Sequence, residues 1–402
     1  MERFEYSIVD KEGKVVTGLV EAKTRDGAAK SLLDQNLTPV KISQKKEQGI
    51  FSKLNSVGKI PLTEMVLFTE ELATLVNAGI PLTQSLNILE KQASNTKLKK
   101  TIENLSKEIN EGISLSSAME KNPQAFDKLY VNMVRSGEIG GTLDKELLTL
   151  AEQLNKDHEL RAKVKGAMVY PAVIMVGMTA AMIYMILTII PQLQDMFNDL
   201  GGELPVTTKS LIFISDMLTK YGLITLVVVL AIAYCFKYAT NNIIGFKKFL
   251  HKILLKLPVV GKLTEKVNIT QFSRTLGSLL SSGVNITEAL EIVADSTGNM
   301  LFKEAIEDVA KKVKNGINVG DALKQHAIFP ILVTQMISVG EETGQLDVIL
   351  TKVSGFYERE VDNTTKNLSV LLEPMIMMLI GAMVGYLIIA IITPIYSMTN
   401  MF

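Results

Sequence analysis

Two short segments carry most of the chemistry that this chain of 402 residues could perform. One reads Gly137-Glu138-Ile139-Gly140-Gly141-Thr142-Leu143-Asp144, the other Gly340-Glu341-Glu342-Thr343-Gly344-Gln345-Leu346-Asp347. Carboxylates beside glycines in this spacing could hold a cation or meet a basic surface of a partner. They also have a structural reading. The glycines suit a tight turn between helices, and each aspartate would fall in a helix first turn, where negative charge meets the positive end of the dipole. No catalytic constellation stands beside them. A Walker A loop needs Gly-Lys followed by Ser or Thr, whereas the chain offers Gly13-Lys14-Val15, Gly58-Lys59-Ile60 and Gly261-Lys262-Leu263. Zincin, nucleophile-elbow and kinase motifs are missing. His158, His251 and His326 stand alone in the sequence, which points to surface positions rather than ligand or general-base roles. The single cysteine, Cys235, excludes an intrachain disulfide and a multi-cysteine metal site. No catalytic residue, cofactor or metal is expected.

The elements that must position these segments follow from where the apolar residues lie. The 42 basic and 42 acidic side chains balance, which argues against nucleic acid as a partner. Met168–Ile190, Tyr221–Phe236 and everything after Glu373 carry no charge. A spanning helix needs about 20 apolar residues. The first and third runs meet this directly; the second is short, but Lys220 and Lys237 at its ends can snorkel. The remainder carries its charges at the density of ordinary soluble protein. Met1–Asp10 has no apolar h-region, so no cleavable signal peptide is expected. Lysines crowd the flanks before the first run and after the second, while the segment between them holds Asp195, Asp199, Glu203 and Asp216 against Lys209 and Lys220. The positive-inside rule puts the N-terminus in the cytoplasm and the C-terminus outside. Transporters place ionisable groups at depth, and here only Glu373 stands at the edge of a span.

The chain also repeats itself. Residues 67–89 (LFTEELATLVNAGIPLTQSLNIL) align with 271–293 (QFSRTLGSLLSSGVNITEALEIV), pairing Phe68 with Phe272, Leu72 with Leu276 and Gly79 with Gly283. Gly112–Met119 aligns with Gly316–Leu323, and Ser136–Asp144 with Val339–Asp347. Each copy reads as helices: apolar residues at helical spacing to Gly79, a left-handed C′ residue, then helices to about Gln92 and through Lys97–Glu111. A further helix ends at Gly137, and a long one starts near Thr142 and continues into the membrane. Pro171 to Pro191, and Pro374 to Pro394, span 20 residues each. At about 1.5 Å per residue that is about 30 Å, the hydrocarbon thickness, so these prolines mark the membrane boundaries.

The expected fold is an all-α membrane protein with two homologous cytoplasmic helical bundles, three transmembrane helices and a small N-terminal α/β module. Its parts are the module (1–42), a linker (43–60), the first bundle (61–166), transmembrane helix 1 (167–191), an outer loop (192–220), transmembrane helix 2 (221–236), a basic amphipathic connector (237–267), the second bundle (268–372), transmembrane helix 3 (373–395) and an outer tail (396–402). The module reads as strands Phe4–Val9, Lys14–Ala22 and Thr38–Ile42 with a helix over Asp26–Gln35. The connector's apolar face, which includes Phe246, Phe249, Leu250 and Ile253, could lie on the membrane or pack on its own bundle.

The combination resembles the platform proteins of type IV pilus assembly and type II secretion systems. The resembling residues are Leu72, Leu75-Val76, Ala78-Gly79 and Pro81-Leu82 with the partner set Leu276, Leu279-Leu280 and Ser282-Gly283. They also include the Gly-Glu pairs at 137–138 and 340–341, Lys163-Val164, Tyr170-Pro171 and Ile189-Ile190-Pro191. The second copy departs from the pattern, with Glu373-Pro374 for Tyr-Pro and Asn285 where Pro81 stands. The resemblance implies a non-enzymatic protein of the cytoplasmic membrane. Its implied partners are a hexameric assembly ATPase on the cytoplasmic side, pilin or pseudopilin transmembrane helices, other inner-membrane assembly subunits, the lipid membrane and further copies of itself. A transporter, or a membrane adaptor or sensor without an assembly role, is the alternative.

Overall fold

The computed structural model describes residues 2–9, 15–22, 27, 39–44, 60–200, 206–258 and 260–399. They form two compact units, Met1–Lys59 and Ile60–Phe402. In the first, β1 (Glu2–Val9) lies between β2 (Val15–Ala22) and β3 (Pro39–Gln44) in an antiparallel sheet of order β2-β1-β3. Tyr6 stands opposite Gly18 on one side and Ile42 on the other, with a register shift at Ser7/Ile8. Pro39 opens an edge strand, where its missing N–H costs no ladder bond. The helix expected over Asp26–Gln35 lies outside the described residues except for Gly27, and the linker does so except for its ends.

In the second unit the repeat becomes two copies of one helical plan. The first copy is α1 (Leu62–Asn77), α2 (Leu82–Gln92), α3 (Thr96–Asn110), α4 (Leu115–Glu120), α5 (Lys128–Gly140) and α6 (Leu143–Ala167). Then follow α7 (Val169–Leu200), α8 (Val206–Lys220), α9 (Gly222–Asn242) and α10 (Ile244–Lys256). The second copy is α11 (Val260–Ser281), α12 (Ile286–Ser296), α13 (Met300–Lys314), α14 (Val319–Lys324), α15 (Ile331–Glu342) and α16 (Leu346–Thr399).

The same local codes set both copies. Asn95 accepts the N–H groups of Lys97 and Leu98 at 3.0 and 3.1 Å and caps α3, and Asn299 does the same for α13. Such a cap satisfies donors that the first helical turn leaves open. Gly79 and Gly283 follow α1 and α11 with φ of +78° and +80°. The next N–H groups, of Ile80 and Val284, reach back to the carbonyls of Leu75 and Leu279 at 3.1 and 3.0 Å. This closure needs a left-handed residue, which glycine adopts without a Cβ clash.

The two copies share one core. A single buried cluster holds Leu72, Leu86 and Leu150 of the first together with Leu276, Leu290 and Leu350 of the second. Aromatic rings fill it in parallel: Phe68 and Tyr130 around Phe126, and Phe272 and Phe302 around Phe329.

Among the described residues, three helices are long and apolar enough to cross a membrane, within Leu143–Gln192, Gly222–Asn242 and Glu373–Ala390. The paired prolines do not end these helices. Pro191 lies inside α7, and Pro374 and Pro394 lie inside the 54-residue α16. In a bilayer, neighbouring helices and local adjustments accommodate the lost N–H. Only Pro171 stands at a helix start, in the first turn of α7. There the helix expected to run unbroken into the first span is interrupted at Met168. The cause is local: Pro171 has no N–H to offer the carbonyl of Ala167. The expected outer loop is also largely helix, formed by the end of α7 and by α8. At about 1.5 Å per residue α7 runs about 48 Å and α16 about 81 Å, so both project well beyond a 30 Å hydrocarbon layer.

Candidate functional site

The two Gly-Glu pairs are not turns. They lie within α5 and α15, and the turns come later, at Gly141 and Gly344, each with φ of +67°. Accordingly α5 ends at Gly140, one turn past the expected Gly137. Gly137 and Gly340 serve close approach instead. A Cβ on Gly137 would come within 2.9 Å of Leu143 Cα, and one on Gly340 within 3.0 Å of Ile349 Cβ and 3.2 Å of Leu346 Cα. The expected positions of the aspartates hold: Asp144 and Asp347 stand in the first turns of α6 and α16.

The glutamates turn inward to cap a neighbouring helix. Glu138 accepts the N–H groups of Leu115 at 2.5 Å and Ser116 at 3.1 Å, and also the Ser116 hydroxyl at 2.5 Å. Glu341 accepts those of Val319 and Gly320 at 2.9 and 3.2 Å. Each carboxylate thereby fills open donors of α4 or α14 and meets the positive end of that helix. Glu138→Ala and Glu341→Ala are each expected to remove about 2 kcal/mol of stability, since a lost cap costs about 0.5–2 kcal/mol and the charge-assisted bonds add to it. Thermal melting of the full chain in detergent checks this; Glu138→Gln, which keeps one acceptor oxygen, should fall between.

A second set of polar residues escaped the sequence because its members come from different copies. Arg274 of α11, whose side chain is 9% exposed, donates from Nη1 to Asp157 of α6 at 2.9 Å and approaches Glu358 of α16 at 3.7 Å. Burial pushes the Asp157 carboxyl above its ordinary range, against the pull of Arg274 and Arg161. Next to it Gln153 donates to the Thr275 hydroxyl at 3.2 Å. At the far end of the seam Ser282 donates to Glu146 at 2.5 Å and its carbonyl accepts from Ser136. Lys128 pairs with Asp295 at 2.6 Å. Hydrogen bonds from Lys128 and then Lys303 hold the Asp295 carboxyl below its ordinary range. One signal was present: the repeat position of Arg274 is Glu70 in the first copy. Opposite charges at one repeat position mark a surface whose surroundings differ between copies.

In the apolar region Ile186 and Ile190 of α7 pack with Leu211 of α8 and with Leu387 and Ala390 of α16. Ser210 and Tyr386 meet at 2.6 Å, and Ser215 donates to the Ile186 carbonyl at 3.2 Å. The membrane parts of the two copies therefore touch, as their bundles do. By contrast α9 buries none of its side chains, and Leu223, Leu226, Leu230 and Ile232 are all open.

The histidines are structural rather than bare surface residues. His251 Nδ1 accepts the N–H of Met300 at 3.0 Å, tying α10 to the start of α13. Burial, helped by Lys247, keeps its pKa below the ordinary value of 6.5, which preserves that acceptor. His326 meets Asp308 at 2.8 Å, and His158 meets Thr63 at 3.3 Å. Among the described residues, no three His, Cys, Asp or Glu side chains gather where they could hold a metal ion.

The comparisons with known proteins match this architecture copy for copy. The family described as "Type II secretion system (T2SS), protein F" matches residues 68–191 and again 272–394. Its N-terminal domain, "Type II secretion system protein F, N-terminal domain", matches residues 1–43. A "Type IV pilus assembly protein PilC" of Thermus thermophilus is 36% identical over 99% of this chain and 98% of its own length. One of the same description from Pseudomonas aeruginosa is 36% identical over 92% of this chain and 98% of its own. A "Type II secretion system protein F" of Vibrio cholerae is 28% identical over 100% of this chain and 99% of its own. The two family matches start at Phe68 and Phe272 and stop at Pro191 and Pro394, the same points of the repeat, and the chain belongs to the type II secretion system protein F family.

Proposed function

We propose that the chain is the non-enzymatic inner-membrane platform of a type IV pilus or type II secretion-type machine. In this reading it couples a cytoplasmic assembly ATPase to the insertion of pilin or pseudopilin subunits. The observation that carries it is mechanical. Two helical bundles share a core, and each feeds a helix into the membrane, where α7 and α16 meet again at Ile186, Ile190 and Leu387. A displacement applied to either bundle therefore has a stiff route to both spans. The routes differ: α16 is continuous, while the α6–α7 route is interrupted at Met168. The lysine-rich flanks support a cytoplasmic N-terminus, bundles on the inside and a C-terminus outside. The open α9 supports contact with pilin helices, other assembly subunits or a further copy of the chain. Asp144 and Asp347, half-exposed at the start of the two long helices, are candidate contacts for the ATPase.

A flexible Gly-Ser-Gly inserted after Met168 and after Lys366 tests this. ATPase capture by the full chain in membranes is expected to persist while fibre assembly or secretion is lost. Fibre assembly at the native rate with both insertions would defeat the mechanical reading. Flux of a small solute through proteoliposomes of the pure chain would favour a transporter.

A further inference from the structure

The ends of α6 and α11 enclose a groove of about 510 Å³ that no part of the proposed machine accounts for. Its size falls within the range of about 300–1,000 Å³ usual for ligand sites. Its floor is apolar: Leu160, Val164, Leu263 and Val267, next to buried Val361. The polar residues in its wall add no open donor, because Thr264 and Asn268 donate to the carbonyls of Val260 and Thr264 on their own helix. On the rim stand Arg161 and Lys165, exposed and one helical turn apart. Neither makes an ion pair among the described residues, and no carboxylate lines the groove. The field of Asp157 reaches Arg161, but Asp157 is already bound to Arg274.

Two features place this groove at a membrane surface. Met168, which lines the groove just past the end of α6, opens the first uncharged run. On the other side Val260 is exposed, and so are Phe249 and Ile253 of α10 and Leu257 just after it, beside Lys252 and Lys256. The opposite face of α10 is pinned to the second bundle by His251 and by the Lys248–Glu304 pair at 2.6 Å. The connector thus packs on its bundle and still presents an apolar, lysine-edged face, as a helix lying in the headgroup layer does.

We propose that the α6–α11 groove binds an anionic phospholipid of the cytoplasmic leaflet. An acyl chain lies along Val164, Leu263 and Val267, and the phosphate sits between Arg161 and Lys165. Basic pockets beside spanning helices on the cytoplasmic side are suited to such headgroups. A zwitterionic lipid would fill the apolar floor but leave the two cations without a net counter-charge. A partner's apolar helix would likewise leave them unmet. The bound lipid would wedge between the two copies where they enter the bilayer, beside the Met168 break. This site stands or falls independently of the pilus reading.

The test uses the full chain in mild detergent, with phosphatidylglycerol and phosphatidylcholine of matched acyl chains, read as bound lipid by native mass spectrometry. Phosphatidylglycerol is expected to bind more tightly. At about 1 kcal/mol per basic side chain, the Arg161→Gln/Lys165→Gln double variant should weaken it roughly 30-fold and leave phosphatidylcholine unchanged. Val164→Trp should weaken both lipids by filling the floor. Equal binding of the two lipids by the native chain, or phosphatidylglycerol binding unaltered in the double variant, would overturn the site. If the variants fail to fold, a photo-crosslinking residue at Val164 in native membranes decides: lipid adducts support the proposal, and adducts to a protein helix alone refute it.

Discussion

Replacing Arg274 by methionine is expected to lower the stability of the full chain by about 3–5 kcal/mol, the usual consequence of removing one partner of a buried ion pair. Methionine keeps the volume and apolar stem of arginine, so packing is little disturbed. What changes is Asp157, which burial already pushes toward its protonated form and which would lose its hydrogen-bonded cation at 2.9 Å. The pH dependence has a definite sign. A carboxyl whose folded pKa lies above its unfolded value of 3.8 binds its proton more tightly in the folded state. That contribution is present at low pH and is lost as pH rises through the folded pKa. Without Arg274 the folded pKa of Asp157 rises further, so the variant should be most damaged at pH 7 and recover toward the native chain near pH 4. Melting temperatures of both chains across pH 4 to 8 check it; a deficit independent of pH would assign the loss to packing instead. Asp157→Asn in the Arg274→Met background should restore part of the loss, because the buried charge goes with its partner.

Gly137→Leu and Gly340→Leu should each cost about 3 kcal/mol, the upper part of the usual range for overpacking a core. At Gly137 the obstacle is backbone: the new Cβ would sit 2.9 Å from Leu143 Cα. The only relief is to separate α5 from α6, which also pulls Glu138 from the start of α4. At Gly340 the same crossing is blocked by Ile349 and Leu346. A control of opposite sign comes from Gly355 in α16, where only the mobile end of Arg359 stands within 4 Å, at 3.8 Å. Gly355→Ala should stabilise by up to about 1 kcal/mol through helix propensity. Chemical denaturation or thermal melting of the three variants separates the cases. A tolerated leucine at Gly137 would mean that the close helix crossing is not required.

Much of the fold was legible because its signals are local. The helix ends at Gln92 and near Thr142 followed from apolar spacing, and the left-handed Gly79 and Gly283 followed from the residue type at a helix end. The three apolar helices followed from runs without charge. The Gly-Glu segments were misread where two glycines of one type do different work. Gly141 carries the turn and Gly137 the close approach, and a sequence lists both alike; only the helix packed against Gly137 distinguishes them. What the prolines do to their helices also depends on surroundings that the sequence does not show. A proline inside a helix is costly in water, yet tolerance of its lost hydrogen bond depends on the surroundings, and α16 passes through two of them unbroken.

The sequence by itself determined the repeat, which is a comparison of residue types alone, and also the helical periods, the left-handed C′ glycines and the charge-free spans, because each of these depends on neighbours within a few positions of the chain. Only the tertiary structure decided that the two copies share a core, that Arg274 joins Asp157 across 117 positions, and that Glu138 reaches back 23 positions to cap α4. Such pairings depend on which faces meet. One copy's surface charges say nothing about their partners until the other copy is brought against them and water is excluded between.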